Sequence, residues 1–307
     1  MRPYSDADLP RLQETFAAWI AGAGRCGYDH VGELPHRIYE NLRGRRPVGE
    51  LVQLWESTRP ESVGEIVGLA INLRFGAAFD VFTAPALRGT DAEREMLRTA
   101  YGTTARYMAV DEPEEYVLTD AFDCDGTRIR LLTELGFAQY RTWDDVTTRD
   151  LAESVAAPAA PAGFVVRPAR LADAAQLADV RNSAFGEDWT GESYRSAVMT
   201  KPGYAPEREI VAEAPDGRIA AFTVYWLDGH NRIGHFEPVG THRDFQRRGL
   251  AGAVMRDAMH RMRAAGMATV TVNYNADNLP AHRLYASLGF HREYQTYGFR
   301  RRRPDLT

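Results

Sequence analysis

The stretch "RIGHFEPVG", residues 232–240, places a histidine and a glutamate two positions apart in a run that alternates like a strand. On such a strand His235, Glu237 and Val239 share one face. A histidine and a carboxylate so placed can accept a proton, directly or through water, from a group lying beside the strand. As a structural pair they would stabilise a strand end instead. The chain then runs into "THRDFQRRGLAGAVMRDAM", from Thr241 to Met259. This reads as a strand end, a polar loop, a glycine and a helix. A helix N-terminus carries backbone N–H groups without partners and the positive end of the helix dipole. Gln246, Arg247 and Arg248 lead in, Gly249 removes a side chain, and Leu250 and Ala251 begin the helix with a small second approach. The loop is either a turn with spare charge or a cradle for a diphosphate.

Composition sets the frame around these residues. The chain has 307 residues, room for two domains, with 44% hydrophobic and 26% charged residues, a normal globular profile. Formal net charge is −5, so nothing global draws the protein to nucleic acid or to an anionic membrane. Lysine occurs once, at Lys201, and the run Arg300 to Arg303 reads as a solvated strand end and tail. The two cysteines, Cys26 and Cys124, are too few for a disulfide framework and have no metal spacing. Both read as reduced thiols of a cytoplasmic protein. No segment approaches 18 apolar residues, so no membrane span is expected.

"LAESVAAPAAPAG", from Leu151 to Gly163, reads as a linker of small residues and prolines. It separates residues 1–150 from 164–307, and the halves look alike. Each opens on Arg-Pro before an acidic helix start, at Arg2 and Arg167. Each has a middle hairpin, and Asp216-Gly217 marks the turn of the second. Each closes a helix with "LGF", at Phe137 and Phe290. The simplest account is duplication of one α/β unit. The second half predicts strands at 164–168, 209–214, 219–227, 233–241 and 267–275, helices at 172–185, 191–199, 250–265 and 279–288, and a last strand or hairpin from His291.

The loop Gln246-x-x-Gly249-x-Ala251 resembles the pyrophosphate loop of the GNAT superfamily of acyl-CoA-dependent N-acyltransferases. Downstream, "NLPAHRLYASLGF" is similar to a second motif of that family at Asn278, Ala281, Leu284, Tyr285, Leu288, Gly289 and Phe290. The two motifs stand in the family's order, and the resemblance covers about residues 164–300. It implies an α/β (α+β) fold of two tandem GNAT-like domains. Each would have a mixed, mostly antiparallel central sheet flanked by helices. The tandem layout resembles that of mycothiol synthase. The resemblance also implies acetyl-CoA as cosubstrate and no metal. The fourth strand of the second half would splay from the fifth, and its backbone from Val239 to Thr241 would pair with the pantetheine arm. The amides of Arg247 to Ala251 would hold the pyrophosphate, Asn278 would sit beside the cofactor arm, and Tyr285 would protonate the departing thiolate.

Such a reaction needs a base, because an alkyl ammonium with a pKa near ~10 cannot attack a thioester. His235 and Glu237 stand at the strand positions where the family carries bases, with Glu237 nearer the acyl end. The segment "AFGEDWTGESY" would wall the substrate, with Asp188 and Trp189 suited to a cationic amine, and Tyr225 is a further candidate.

The first half lacks this chemistry. Thr90-Asp91-Ala92-Glu93 replaces the glycine loop and reads as a helix capping box. Leu132 replaces the tyrosine, and Asp125 stands where the second half has Asn278. Tyr28, His36 or Tyr39 would serve by contact, while His30 and His36 form no metal motif. The sequence thus predicts an N-acetyltransferase acting on a small-molecule amine through a ternary complex, as a monomer or homodimer, without nucleic-acid or membrane partners. Another acyl donor, including an aminoacyl-tRNA, and a non-catalytic CoA-binding sensor are the alternatives.

Overall fold

The computed structural model describes residues 1–111 and 114–303, which divide into two compact units. The first unit comprises Met1–Asp145 together with the chain from Tyr294 onward, and the second comprises Val146–Glu293. The first contains β1 (Arg2–Pro3), α1 (Leu9–Ala23), the single turns α2 (Glu33–Pro35) and α3 (Val48–Leu51), then β2 (Val52–Glu56), β3 (Ile66–Arg74), β4 (Ala78–Thr83), α4 (Asp91–Asp111), β5 (Tyr116–Phe122) and α5 (Gly126–Glu134). β6 (Ala138–Asp150) carries the chain into the second unit. There follow β7 (Val165–Pro168), α6 (Ala174–Phe185), the short α7 (Gly191–Tyr194), β8 (Glu209–Glu213), β9 (Ile219–Asp228), β10 (Ile233–Thr241), α8 (Leu250–Ala264), β11 (Thr269–Asn275) and α9 (Leu279–Ser287). β12 (His291–Arg302) leads back out.

The strand order within each unit repeats one pattern. In the first unit the order is β1-β2-β3-β4-β5, antiparallel except for the parallel contact of β4 with β5. In the second it is β7-β8-β9-β10-β11, antiparallel except for the parallel pair β10 and β11. The Arg-Pro openings have the same reason in both copies. Arg2 donates to Asp8 and Glu56, and Arg167 donates to Asp173 and Glu213. Each arginine thereby ties the first strand to the helix start and to the neighbouring strand. The "LGF" endings match as well: Gly136 and Gly289 take positive φ, and Phe137 and Phe290 donate back to Leu132 and Tyr285, both at 3.0 Å.

Several expectations need correction. The sequence places all of 164–307 in the second half, but β12 pairs antiparallel with β5, with Thr296 opposite Phe122 and Arg302 opposite Tyr116. Most of the last strand therefore belongs to the first unit. The interval Leu151–Gly163 is not wholly a solvated linker, because Leu151 and Val155 are buried in the second unit's core. Cys26 and Cys124 are not reduced thiols; they form a disulfide across a sequence separation of 98. Cys26 follows α1 and Cys124 follows β5, and only the tertiary fold brings those two turns together. The arginine run is not a free tail either. Arg300 stacks over Tyr116 and Arg301 over Tyr101, while Arg303 is buried and donates to the Glu114 carbonyl.

Candidate active site

β10 positions the candidate base. It pairs in parallel with β11 only from Ile233 to Phe236, opposite Thr269 to Val272. Beyond Phe236 the two strands part. On its other edge β10 stays with β9, but with an irregularity: Phe236 faces Tyr225 and Val239 faces Thr223. Three steps on β10 thus match two on β9, so Glu237 and Pro238 together oppose one residue, a β-bulge. The bulge reverses the alternation. Phe236 and Val239 share the face packed into the α8 core, so Val239 does not share the His235 face as the sequence reading expected.

The structure treats the two candidate bases differently. His235 is fully buried in the strand, and its Nδ1 lies 2.7 Å from the Thr271 hydroxyl on β11. Glu237 sits at the bulge, half-buried, and its main-chain carbonyl accepts from the Trp226 indole at 2.9 Å. Tyr285, on α9, is buried against Tyr274 and Phe290. Its hydroxyl has no hydrogen-bond partner among the described residues. Burial first, and then the nearby Glu237 carboxylate, push its pKa well above the ordinary phenol range. The phenol therefore keeps its proton. Glu237 and Tyr285 are close enough to feel each other electrostatically.

The opening loop ends at an unguarded helix start. A short 3-10 turn over Arg243–Phe245 precedes Gln246, and both Arg247 and Gly249 take left-handed φ, 60° and 78°. Gly249 is the N-cap of α8 and brings no side-chain cap. The first helical N–H bonded within the helix is that of Ala253, to the Gly249 carbonyl. The amides of Leu250 to Gly252 therefore lie ahead of the first helical bond. Residues Gln246 to Gly249 are exposed, with the Arg248 guanidinium resting over the Phe245 ring. Thr241 is the last residue of β10, immediately before this loop.

Asn278 is the N-cap of α9, its side-chain oxygen accepting from the Ala281 amide at 3.1 Å. The substrate candidates scatter. Trp189 is buried among α6, α7 and β9, where it packs on Tyr194 and donates to Glu187. Arg181, also buried, lies over Trp189, Tyr194, Phe185 and Phe222. Trp189 thus has a core role. Asp188 is exposed. Tyr225 is buried in the α8 core, on the opposite face of β9 from Trp226.

The matching elements of the first unit are closed by their own side chains. Gly89 keeps a left-handed φ, yet its amide donates to the Glu93 carboxylate. The expected capping box does not form: the Thr90 hydroxyl donates to the Leu87 carbonyl at 2.7 Å, and Glu93 takes the Gly89 amide rather than that of Thr90, which goes to the Leu87 carbonyl. Glu93 is 1% exposed and accepts from Arg128 Nε at 2.9 Å. Asp125 caps α5 through the Arg128 amide, as Asn278 caps α9. Tyr28 donates to the Thr83 carbonyl, Tyr39 bonds Tyr4, and His36 bonds Asn41. These three have structural partners within the first unit. His30 accepts the Gly32 amide, a local cap.

Removing Arg128 should expose the cost of this closure. Arg128→Leu leaves the Glu93 carboxylate buried without its cation, and is expected to destabilise by about 3–5 kcal/mol. Adding Glu93→Leu should recover much of the loss. Calorimetric unfolding of the single and double variants checks this, and additive losses would contradict it.

The sequence reading missed a cavity in the first unit. It lies where β4 and β5 part, lined by Asp80 and Phe82 on one side and Asp120 and Phe122 on the other. The dense stretch from Cys26 to Leu42, which supplies Asp29 and Arg37 to it, was the available signal.

Residues 174–290 match the acetyltransferase (GNAT) family. A mycothiol acetyltransferase of Kineococcus radiotolerans is 33% identical over 144 residues, 45% of this chain and 46% of that protein. One of Thermomonospora curvata is 35% identical over 105 residues, 34% of each. The chain thus spans less than half the length of these curated relatives in the matched stretch. A tandem GNAT protein from the clavulanic acid biosynthesis pathway superposes with a TM-score of 0.66 at 15% identity, covering 98% of this chain and 97% of that one. A GCN5-related N-acetyltransferase from Sphaerobacter thermophilus gives 0.64 at 21% identity, covering 99% and 95%. Residues 174–290 are therefore similar to the acetyltransferase (GNAT) family, and the chain as a whole has the fold of a tandem GNAT protein.

Proposed function

We propose that the second unit transfers an acetyl group from acetyl-CoA to a primary amine of a small molecule, by direct attack in a ternary complex. The observation that carries this is the parting of β10 from β11 at Phe236, with Glu237 at the opening and Tyr285 in electrostatic reach of it. Two features suit coenzyme A: the α8 N-terminus that no side chain caps, and the Tyr285 hydroxyl without a partner. Acetyl-CoA supplies the activated acyl group. The strand edge from Val239 to Thr241, beyond the last pair with β11, pairs with the pantetheine arm, beside Asn278. The residues Gln246 to Ala251 hold the diphosphate. Glu237 takes a proton from the acceptor ammonium and so frees its lone pair. His235, fixed against Thr271, orients the strand beside it. As the tetrahedral centre collapses, Tyr285 gives its proton to the departing thiolate.

Neither cysteine is a free thiol, so no cysteine is available for an acyl-enzyme. The likeness to mycothiol acetyltransferases favours a small-molecule acceptor. The test is a panel of primary amines incubated with acetyl-CoA and followed by CoA release. Acetyl-CoA binding without acetylation of any amine would favour a sensor. Calorimetric titration should find one equivalent of acetyl-CoA per chain, because Glu93 fills the first unit's helix start. Two equivalents would overturn the assignment of one unit as non-catalytic and empty of cosubstrate.

A further inference from the structure

The loop after α1 and the turn that ends β5 are joined twice in the first unit. The covalent join is the Cys26–Cys124 disulfide, which closes a sequence separation of 98. The second join is Arg88. Its guanidinium donates to the Cys26 carbonyl at 3.0 Å and to the Asp125 carboxylate, and it rests over the Tyr28 ring, 5.2 Å from the centroid. Gly27 makes room for it. A Cβ there would stand 2.6 Å from Arg88 Nη2, and the glycine takes φ 86°. Asp125 in turn caps α5 by accepting the Arg128 amide at 3.0 Å. The two turns therefore keep a polar tie whether or not the sulfurs are bonded.

The two cysteines are not equally placed. Cys124 is exposed, while Cys26 is half-buried beside the Arg88 cation. An incoming thiolate meets the exposed residue first. The sulfur it displaces departs as a thiolate, and a neighbouring cation makes that sulfur the better leaving group. Both conditions favour entry at Cys124 and departure at Cys26. Exposed disulfides are also the ones that exchange, whereas buried structural ones resist reduction. The join is peculiar to the first unit. In the second, Asp277 stands where the first has Cys124, one residue before the cap of the helix. Gly27 and Asp125, the chain neighbours of the two cysteines, line the cavity between β4 and β5, so the disulfide fastens its rim.

We propose that the Cys26–Cys124 disulfide is a thiol-exchange site, opened in the folded protein by a low-molecular-weight thiol that enters at Cys124, with Arg88 holding the two turns in register for reclosure. The incoming thiolate forms a bond to the Cys124 sulfur. The Cys26–Cys124 bond breaks, its electron pair stays on the Cys26 sulfur, and that sulfur takes up the proton the incoming thiol gave away. A second small thiol then attacks the sulfur of the first. This releases a small-molecule disulfide and leaves Cys124 as a thiol. The protein gains two electrons and two protons, and two small thiols become one disulfide. Opening loosens the loop after α1 from the start of α5. The inference does not depend on acetyl transfer in the second unit.

The test treats the full chain with excess reduced glutathione, without denaturant, and counts thiols by maleimide labelling and mass spectrometry. Both cysteines should label while the far-ultraviolet circular dichroism stays that of the folded chain. Reduction should lower the melting temperature of the first unit by roughly 10–20 °C, the effect of reopening a loop of this length. Hydrogen exchange should quicken at residues 24–29 and 122–128 and stay unchanged in β8, β9 and β10. In Cys26→Ser, Cys124 should form a mixed disulfide with oxidised glutathione roughly tenfold faster than Cys26 does in Cys124→Ser. Moved into oxidised glutathione, the reduced protein should reclose, and Arg88→Gln should slow this by roughly tenfold, because the turns then part. A disulfide that yields to glutathione only in denaturant overturns the proposal. So does faster exchange at Cys26 than at Cys124, or reclosure of Arg88→Gln at the parent's rate.

Discussion

Gly249→Glu should reduce acetyl-CoA affinity more than 100-fold. The reasoning is electrostatic rather than steric. A Cβ built on Gly249 meets nothing within 4 Å, so a side chain has room there. A carboxylate at the mouth of α8 would stand beside the proposed diphosphate. Two like charges at 4 Å repel by about 4 kcal/mol at an effective dielectric of 20, which exceeds two decades of affinity. Gly249→Ala is the control. It carries only the strain of a side chain at φ 78°, a cost on the order of 1 kcal/mol. Calorimetry should therefore show alanine within about tenfold of the parent by that cost, and glutamate without measurable binding. Equal affinity for both would remove the diphosphate from this loop.

The second large effect concerns the proton path. Glu237→Gln is expected to lower kcat by roughly 10²–10⁴-fold, the usual contribution of a positioned base. The variant's rate should climb with pH up to the amine's own pKa, since bulk deprotonation then supplies the free amine. The parent should level off earlier. Tyr285→Phe should lower kcat at the thiolate step, and a donor with a better leaving group should partly rescue it. Near-normal turnover in both variants would sink the assignment of these residues. The buried His235, bonded to Thr271, marks Glu237 as the one of the pair that meets the opening.

The sequence made the plan of the second unit legible because its signals are local. Gly249, the turn at Gly217 and the "LGF" ending are each read within a few residues. The contrast between Gly249 and Glu93 was legible for the same reason, since both sit at a helix start. What escaped depends on distant partners. The bulge at Glu237 and Pro238 is a mismatch between two strands, and no alternation count on one strand reveals it. The face of Val239 was misjudged on that account. Pairing of Cys26 with Cys124 needs two turns far apart in the chain. The cavity lined by Asp29, Asp80 and Asp120 appears only when β4, β5 and the loop after α1 come together, because each aspartate alone is ordinary. Trp189 was misjudged through Arg181, whose buried guanidinium collects the aromatic rings around itself.

The path of β12 bears on how this chain could have arisen and how it can be taken apart. Its residues from Tyr294 onward complete the first unit, although they follow the second unit in the sequence. A gene cut in the proline-rich interval would deliver an amino-terminal product whose β5 has lost its neighbour along the Tyr116–Phe122 edge. Such an exposed edge invites pairing with another chain. Closure of the first unit therefore waits until the strand His291–Arg302, which follows the second unit in the sequence, has been made.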